Sequence, residues 1–183
     1  MLILILGGAR SGKSQLAECL AAQAQRVCYL ATARAGDDPE MAVRIERHRA
    51  NRPASWCTVE EPLALADAVE HAVRGADVVL VDCLTVWLSN LCWEHRNSTP
   101  ERVEDSARGE LQRIITSARS CRVILVSNEV GGGTVPENAV ARAFRDLQGR
   151  VNQWAAAAAD EVILTVAGLP LYLKPTLRQG GAL

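Results

Sequence analysis

Short unbroken apolar runs alternate with amphipathic stretches along the chain. Residues 2–6 read LILIL, 27–32 VCYLAT, 78–81 VVLV, 122–127 RVILVS and 161–168 EVILTVAG. Apolar runs of this length, without polar alternation, fit strands buried on both faces, as a parallel sheet requires. Between them the apolar positions recur at helical spacing. Residues 15–25 place Leu16, Leu20 and Ala24 on one stripe, the face expected against the sheet. Residues 62–73 form a second amphipathic pattern, 86–93 one that is apolar nearly all round, and 101–120 a long one opened by Thr99 and Pro100. The last helix is expected to end near Ala159, with Thr134 and Glu137 as a capping box, Pro136 in the first turn and Gly149 as a weak point. Residues 55–62 read as a short extended piece, 94–101 as a surface loop, and 171–174 as a strand hairpinning off the one before it. Strands alternating with helices predict one α/β domain over residues 1–183, a three-layer fold with a mainly parallel sheet and helices on both faces.

Composition narrows the picture. The formal net charge of −1 gives no broad basic field for nucleic acid, and aromatic residues are too few for base-stacking platforms. No run of about 18 apolar residues predicts a membrane span, and the five-residue run at 2–6 reads as a strand rather than a signal peptide. The six cysteines, Cys19, Cys28, Cys57, Cys83, Cys92 and Cys121, form no C-x-x-C pair and read as buried thiols of a cytoplasmic protein.

The chemistry begins at Gly7, Gly8, Ala9, Arg10, Ser11, Gly12, Lys13 and Ser14. This is G-x-x-x-x-G-K-[S/T], a phosphate-binding loop between a predicted strand and a predicted helix. Gly7 and Gly12 allow a tight turn and close backbone approach. Loop N–H groups and the helix N-terminus face an anion. Lys13 supplies a point charge for the β- and γ-phosphates, and Ser14 a hydroxyl for Mg²⁺. The strand at 78–81 runs into Asp82, the arrangement in which a carboxylate holds Mg²⁺ directly or through water. The second strand ends in Ala31, Thr32 and Ala33, small residues at the carboxyl edge where open α/β sheets bind ligands. Asn128 and Glu129 emerge at the same edge, before the glycines at 131–133.

Residues 36–53 predict a further helix, with Asp37, Asp38, Pro39 and Glu40 suited to its first turn. Met41, Ile45 and His48 fall at i, i+4 and i+7, and Arg44, Arg47, Arg49 and Arg52 surround the imidazole. Two readings are open from these residues alone. One is a solvated basic face with an incidental histidine. The other is an imidazole beside bound phosphate, kept neutral and nucleophilic by like-charge repulsion. His71 reads as a surface or core-edge residue and His95 as incidental. Arg142, Arg145 and Arg150 are placed either on a solvated helix face or within reach of phosphate.

Together GGARSGKS, YLATA, RIERHRANRP, LVDCLT, SNEVGGGTVPEN and GRVNQWAAAAADEV closely resemble the bifunctional adenosylcobinamide kinase/adenosylcobinamide-phosphate guanylyltransferase family of cobalamin biosynthesis. The resemblance covers residues 2–174, and the histidine–arginine and N-E-V-G stretches are its most specific parts. It implies a RecA-like P-loop NTPase fold and a homotrimer. It also implies two reactions: phosphorylation of adenosylcobinamide from ATP or GTP, then transfer of GMP from GTP to adenosylcobinamide phosphate through a guanylylated histidine. Carried over by position, that histidine is His48. Some relatives have two adjacent histidines here, where this chain has Arg47 and His48. Nucleotide contacts carry over to residues 7–14, to Ala31, Thr32 and Ala33, to Arg49, Ala50, Asn51 and Arg52, and to Glu60 and Asp82. Ser14 and Asp82 are the expected Mg²⁺ ligands. For the kinase step Asp82 and Glu129 are the candidate bases. A single-activity small-molecule kinase and a nucleotide-binding regulatory module are the competing readings.

Overall fold

The apolar runs become the strands of one sheet. A computed structural model describes residues 1–34, 46 and 52–175. Seven strands form: β1 Leu2–Gly7, β2 Val27–Ala31, β3 Cys57–Glu60, β4 Val78–Asp82, β5 Arg122–Asn128, β6 Glu161–Val166 and β7 Leu169–Lys174. Five helices are described between them: α1 Lys13–Ala21, α2 Leu65–Ala72, α3 Leu84–Glu94, α4 Pro100–Ser117 and α5 Ala139–Ala158. The sheet order is β3-β2-β4-β5-β1-β6-β7. The first six are parallel, and β7 folds back antiparallel on β6. Strand β5 therefore separates the strand that carries the phosphate loop from the strand that carries Asp82.

Side chains alternate across the sheet into two cores. Leu2, Leu4 and Leu6 join Leu30, Val79, Val81 and Leu125 under α2–α5, with Trp87, Leu88, Leu111 and Val151. Ile3 and Ile5 join Tyr29, Leu80, Ile124 and Val126 beneath α1. The alternating pattern thus gives helices on both faces, with four of the five described helices on one of them. Among the described residues no helix is long and apolar enough to cross a membrane.

Several local expectations are corrected. Leu16, Leu20 and Ala24 do pack half-buried against the core under α1, but the fully buried stripe that seats the helix on the sheet is Lys13, Ala17 and Ala21. Small alanines let the helix approach closely, so the larger leucines are displaced to its sides. Helix α5 starts at Ala139, with Asn138 as its N-cap accepting from Val140 and Ala141 N–H. The Thr134–Glu137 box is not used, because Asn138 supplies a cap directly ahead of the helical pattern. Gly149 does not break α5, since neighbouring Gln148 and Val151 are anchored in the interior. The cysteines divide: Cys28, Cys83 and Cys121 are buried, Cys92 is half-buried, and Cys19 and Cys57 are exposed. Cys57 is exposed because β3 is an edge strand, which the apolar composition around it does not reveal. Residues 55–62 do contain the expected extended piece, and α4 opens at Thr99, whose hydroxyl accepts from Arg102 N–H.

Candidate active site

Strand β1, buried along its whole length, delivers the glycine loop to the carboxyl edge of the sheet. Gly12 is the residue before α1 and has φ +94°, left-handed backbone that L side chains rarely adopt. A Cβ there would stand 3.1 Å from the Cα of Gly168 in the β6–β7 turn. At Gly7 a Cβ would overlap the Ser11 hydroxyl and lie 2.7 Å from the Thr165 carbonyl. The turn is closed by Ser11 N–H to the Gly8 carbonyl at 3.3 Å and braced by Gly168 N–H to the Ser11 carbonyl at 2.8 Å. Lys13 is buried and donates to the Gly8 carbonyl at 3.1 Å. Its ammonium is thus held against the loop, where an incoming phosphate would meet it.

Opposite the loop, Asp82 ends β4. One of its carboxylate oxygens accepts from the Tyr29 hydroxyl at 2.7 Å. Burial raises the Tyr29 phenol well above its usual range and the Asp82 charge raises it further, while Arg52 opposes them. Tyr29 therefore stays a protonated donor. The Arg52 guanidinium lies over the Tyr29 ring at 3.8 Å, and Trp56 stacks on the same ring with centroids 6.4 Å apart. Arg52 Nε and Nη1 are buried and have no hydrogen-bond partner among the described residues. Cation–π attraction fixes the guanidinium plane and leaves those donors uncommitted.

These groups line a cavity of about 230 Å³. Of the residues expected to bind nucleotide, Ala9, Arg10, Lys13, Ser14, Ala31, Ala33, Arg52, Glu60 and Asp82 all line it. Gly7, Ser11 and Gly12 shape the loop beneath. Thr32 has a different place: its hydroxyl donates to the Cys83 carbonyl at 2.8 Å and accepts from Cys83 N–H at 2.9 Å. It is fully buried and pins the turn after Asp82. A hollow of about 880 Å³ between β2, β3 and α2 is larger but lies away from the phosphate loop, so volume alone does not locate the chemistry.

His48, Arg49, Ala50 and Asn51, with Arg44, Arg47 and, Glu46 aside, the rest of the predicted helix at 36–53 up to Asn51, lie outside the described residues, as does the tail from 176. Arg142 and Arg145 turn to the loop before α5. Arg142 reaches the Pro136 and Glu137 carbonyls, and Arg145 those of Gly131 and Thr134. Arg150 pairs with Glu104. Those three arginines are spent on structure, because carbonyls and a carboxylate lie within their reach. His71 is exposed, and His95 sits half-buried at the end of α3.

Four lining residues are not among the expected nucleotide contacts: Tyr29, Cys83, Val86 and Asn128, the last expected only to emerge at the ligand edge. Tyr29 reads in sequence as one more apolar strand position; only the pairing of β2 with β4 puts its hydroxyl beside Asp82. Burial, then the Asp82 charge, pushes the Cys83 thiol up to about 11, which keeps it protonated and unreactive.

Glycine loop, buried lysine and strand-end carboxylate, with one strand inserted between their carriers, define a P-loop nucleotide-binding enzyme. The fold is also that of a solved ATPase from the type III secretion system of pathogenic bacteria, with a TM-score of 0.58 over 89% of this chain and 51% of that one at 15% identity. This chain thus spans about half of that ATPase, and the likeness concerns the fold. Sequence comparison is more specific. The cobinamide kinase / cobinamide phosphate guanyltransferase family matches residues 3–173. The Pseudomonas aeruginosa bifunctional adenosylcobalamin biosynthesis protein CobP is 48% identical, covering 93% of this chain and 96% of its own. The bifunctional adenosylcobalamin biosynthesis proteins CobU of Escherichia coli and Salmonella typhimurium are 43% and 44% identical, each aligned over 95% of this chain and all of its own. The chain belongs to the cobinamide kinase / cobinamide phosphate guanyltransferase family.

Proposed function

We propose that both family reactions run at the carboxyl edge of this sheet, in one nucleotide-binding domain of a cytoplasmic homotrimer. In the first, the adenosylcobinamide hydroxyl oxygen attacks the γ-phosphorus of ATP or GTP, and the bond to the β-phosphate breaks. In the second, a neutral His48 nitrogen attacks the α-phosphorus of GTP and pyrophosphate leaves. A phosphate oxygen of adenosylcobinamide phosphate then displaces the histidine, giving adenosylcobinamide-GDP. Dividing the transfer in two replaces one hard displacement by two easier ones.

The observation that carries this reading is the cavity shared by Lys13, Ser14, Arg52 and Asp82. Lys13 and the loop N–H groups neutralise phosphate charge. Arg52, with donors uncommitted, reaches a further phosphate from the opposite side. Ser14 and Asp82 provide hydroxyl and carboxylate oxygens, the hard donor set that suits Mg²⁺, and they are the residues that would hold it. When bound, Mg²⁺ would neutralise charge on the phosphate oxygens. Tyr29 occupies one oxygen of Asp82 and fixes the orientation of its carboxylate.

The test is labelling with GTP carrying α-phosphate radiolabel, on wild type and His48→Ala. Acid-labile, base-stable label on wild type alone is the expected result. Absence of label on wild type, under conditions where GTP binds, would replace the covalent route with a plain kinase. Label on both proteins would move the nucleophile from His48.

A further inference from the structure

Among the described residues that line the cavity, Arg52 carries buried donors without a partner, and one buried acceptor, on Asn128, is left without one as well. Asn128 ends β5, the strand between β1 and β4. It is in register with Gly7, and Val126 on the same strand is in register with Asp82. The sheet order therefore brings Asn128 out between the phosphate loop and the carboxylate. Asn128 lines the same cavity as Lys13 and Asp82.

Its backbone is held on both sides. Asn128 N–H donates to the Thr85 hydroxyl at 2.8 Å, and its carbonyl accepts from Asn152 at 3.1 Å. Asn152 is fixed by Ser127 at 2.6 Å and Gln148 at 3.0 Å, a polar cluster inside the core. The next residue, Glu129, donates its N–H to the Gly7 carbonyl at 3.1 Å. Yet Asn128 Oδ1 is buried and has no hydrogen-bond partner among the described residues. A buried acceptor left unpaired has lost its water without compensation, so such an atom demands a role. Ser11 and Thr165 also carry unpaired buried hydroxyl oxygens, but neither residue lines the cavity. Glu129, the alternative base, is exposed, and its carboxylate accepts from Gly131 N–H at 3.0 Å.

We infer that Asn128 is the residue that positions the attacking hydroxyl in the kinase step, Oδ1 accepting the hydrogen bond of the substrate O–H. The inference rests on the function proposed above. The hydroxyl oxygen is then aimed at the γ-phosphorus; the new P–O bond forms as the bond to the β-phosphate breaks. The hydroxyl proton passes to an oxygen of the transferred phosphoryl group, and the nucleoside diphosphate leaves. Phosphoryl transfer passes through a loose transition state in which orientation matters more than a strong base. An amide, with no basicity, is therefore sufficient. Asn128 is not needed for attack by His48, which occurs at the α-phosphorus.

The experiment measures transfer of γ-labelled phosphate to adenosylcobinamide, nucleotide KM, and protein labelling from α-labelled GTP. Asn128→Ala is expected to lower kcat of phosphorylation about 10²-fold or more, the scale for losing one oriented polar contact in a transition state. The loss of kinase kcat should exceed any change in nucleotide KM or in protein guanylylation by at least about tenfold. Asn128→Asp keeps an acceptor oxygen at the same place, so its kinase kcat should recover to within about tenfold of wild type, while its charge beside the phosphates raises nucleotide KM in both reactions. A residue that merely packs would lower kinase and guanylylation together in the Ala variant. Kinase kcat within about threefold of wild type in the Ala variant overturns the inference. Equal loss of kinase and guanylylation in that variant also overturns it. Wild type active on GTP labelling but inert toward adenosylcobinamide would overturn the proposed kinase function itself.

Discussion

Two glycine-bearing loops leave adjacent strands at the same sheet edge, and they are built in opposite ways. The loop after β1 is held by its own backbone and by the β6–β7 turn against it. Gly12 there has positive φ and backbone 3.1 Å from where a Cβ would stand. The loop after β5 is gripped from outside, by Arg142 and Arg145 of α5, and a Cβ on Gly132 or Gly133 would meet nothing within 4 Å. The first loop is fixed before any ligand arrives, which reduces the ordering cost of binding phosphate. Ala9 and Arg10 of that loop and Lys13 and Ser14 at the start of α1 line the cavity, whereas beyond β5 no residue of the second loop does, and only the last residue of the strand itself, Asn128, reaches it. Glycine in a motif is therefore evidence of steric demand only where backbone crowding or left-handed φ requires it.

The contrast can be broken by substitution. Lys13→Met should have the largest effect: nucleotide binding weakened and both activities lowered by at least about 10²-fold, read by GTP binding and by label transfer. Survival of either activity near wild type would show that the buried ammonium is not the phosphate anchor. Gly12→Ala comes next. Left-handed strain and the close Gly168 backbone should destabilise the fold by about 1–3 kcal/mol, seen as a lower thermal midpoint. An unchanged midpoint would mean that the first loop is as permissive as the second. Gly132→Ala should be the smallest, within about 0.5 kcal/mol of wild type, since its Cβ would enter open space. A large loss there would reveal steric demand in the second loop after all.

Much of the architecture was legible in the chain. Five apolar runs correspond to β1, β2, β4, β5 and β6, because burial on both faces leaves no alternation to confuse with a helix. The N-cap of α5 was misplaced because the segment from Thr134 to Asn138 contains two acceptable caps, and local chemistry does not choose between them. The arginines of α5 could be read either toward phosphate or toward structure. Their choice depended on carbonyls brought near by the fold of the preceding loop.

The sequence by itself determined the phosphate loop, the acid at the end of its strand and the family, since these are encoded in contiguous residues whose spacing carries the chemistry. Tertiary structure decided what surrounds them. The insertion of β5 between β1 and β4 brings Asn128 between loop and acid. The pairing of β2 with β4 places the Tyr29 hydroxyl 2.7 Å from Asp82. Arg52 then lies over that ring, with Trp56 stacked on it as well. No spacing along the chain encodes these juxtapositions: Tyr29 and Asp82 are 53 residues apart, and their contact exists only once strand order is fixed. Strand order in turn follows from which apolar faces bury one another, a property of the whole sheet rather than of any segment.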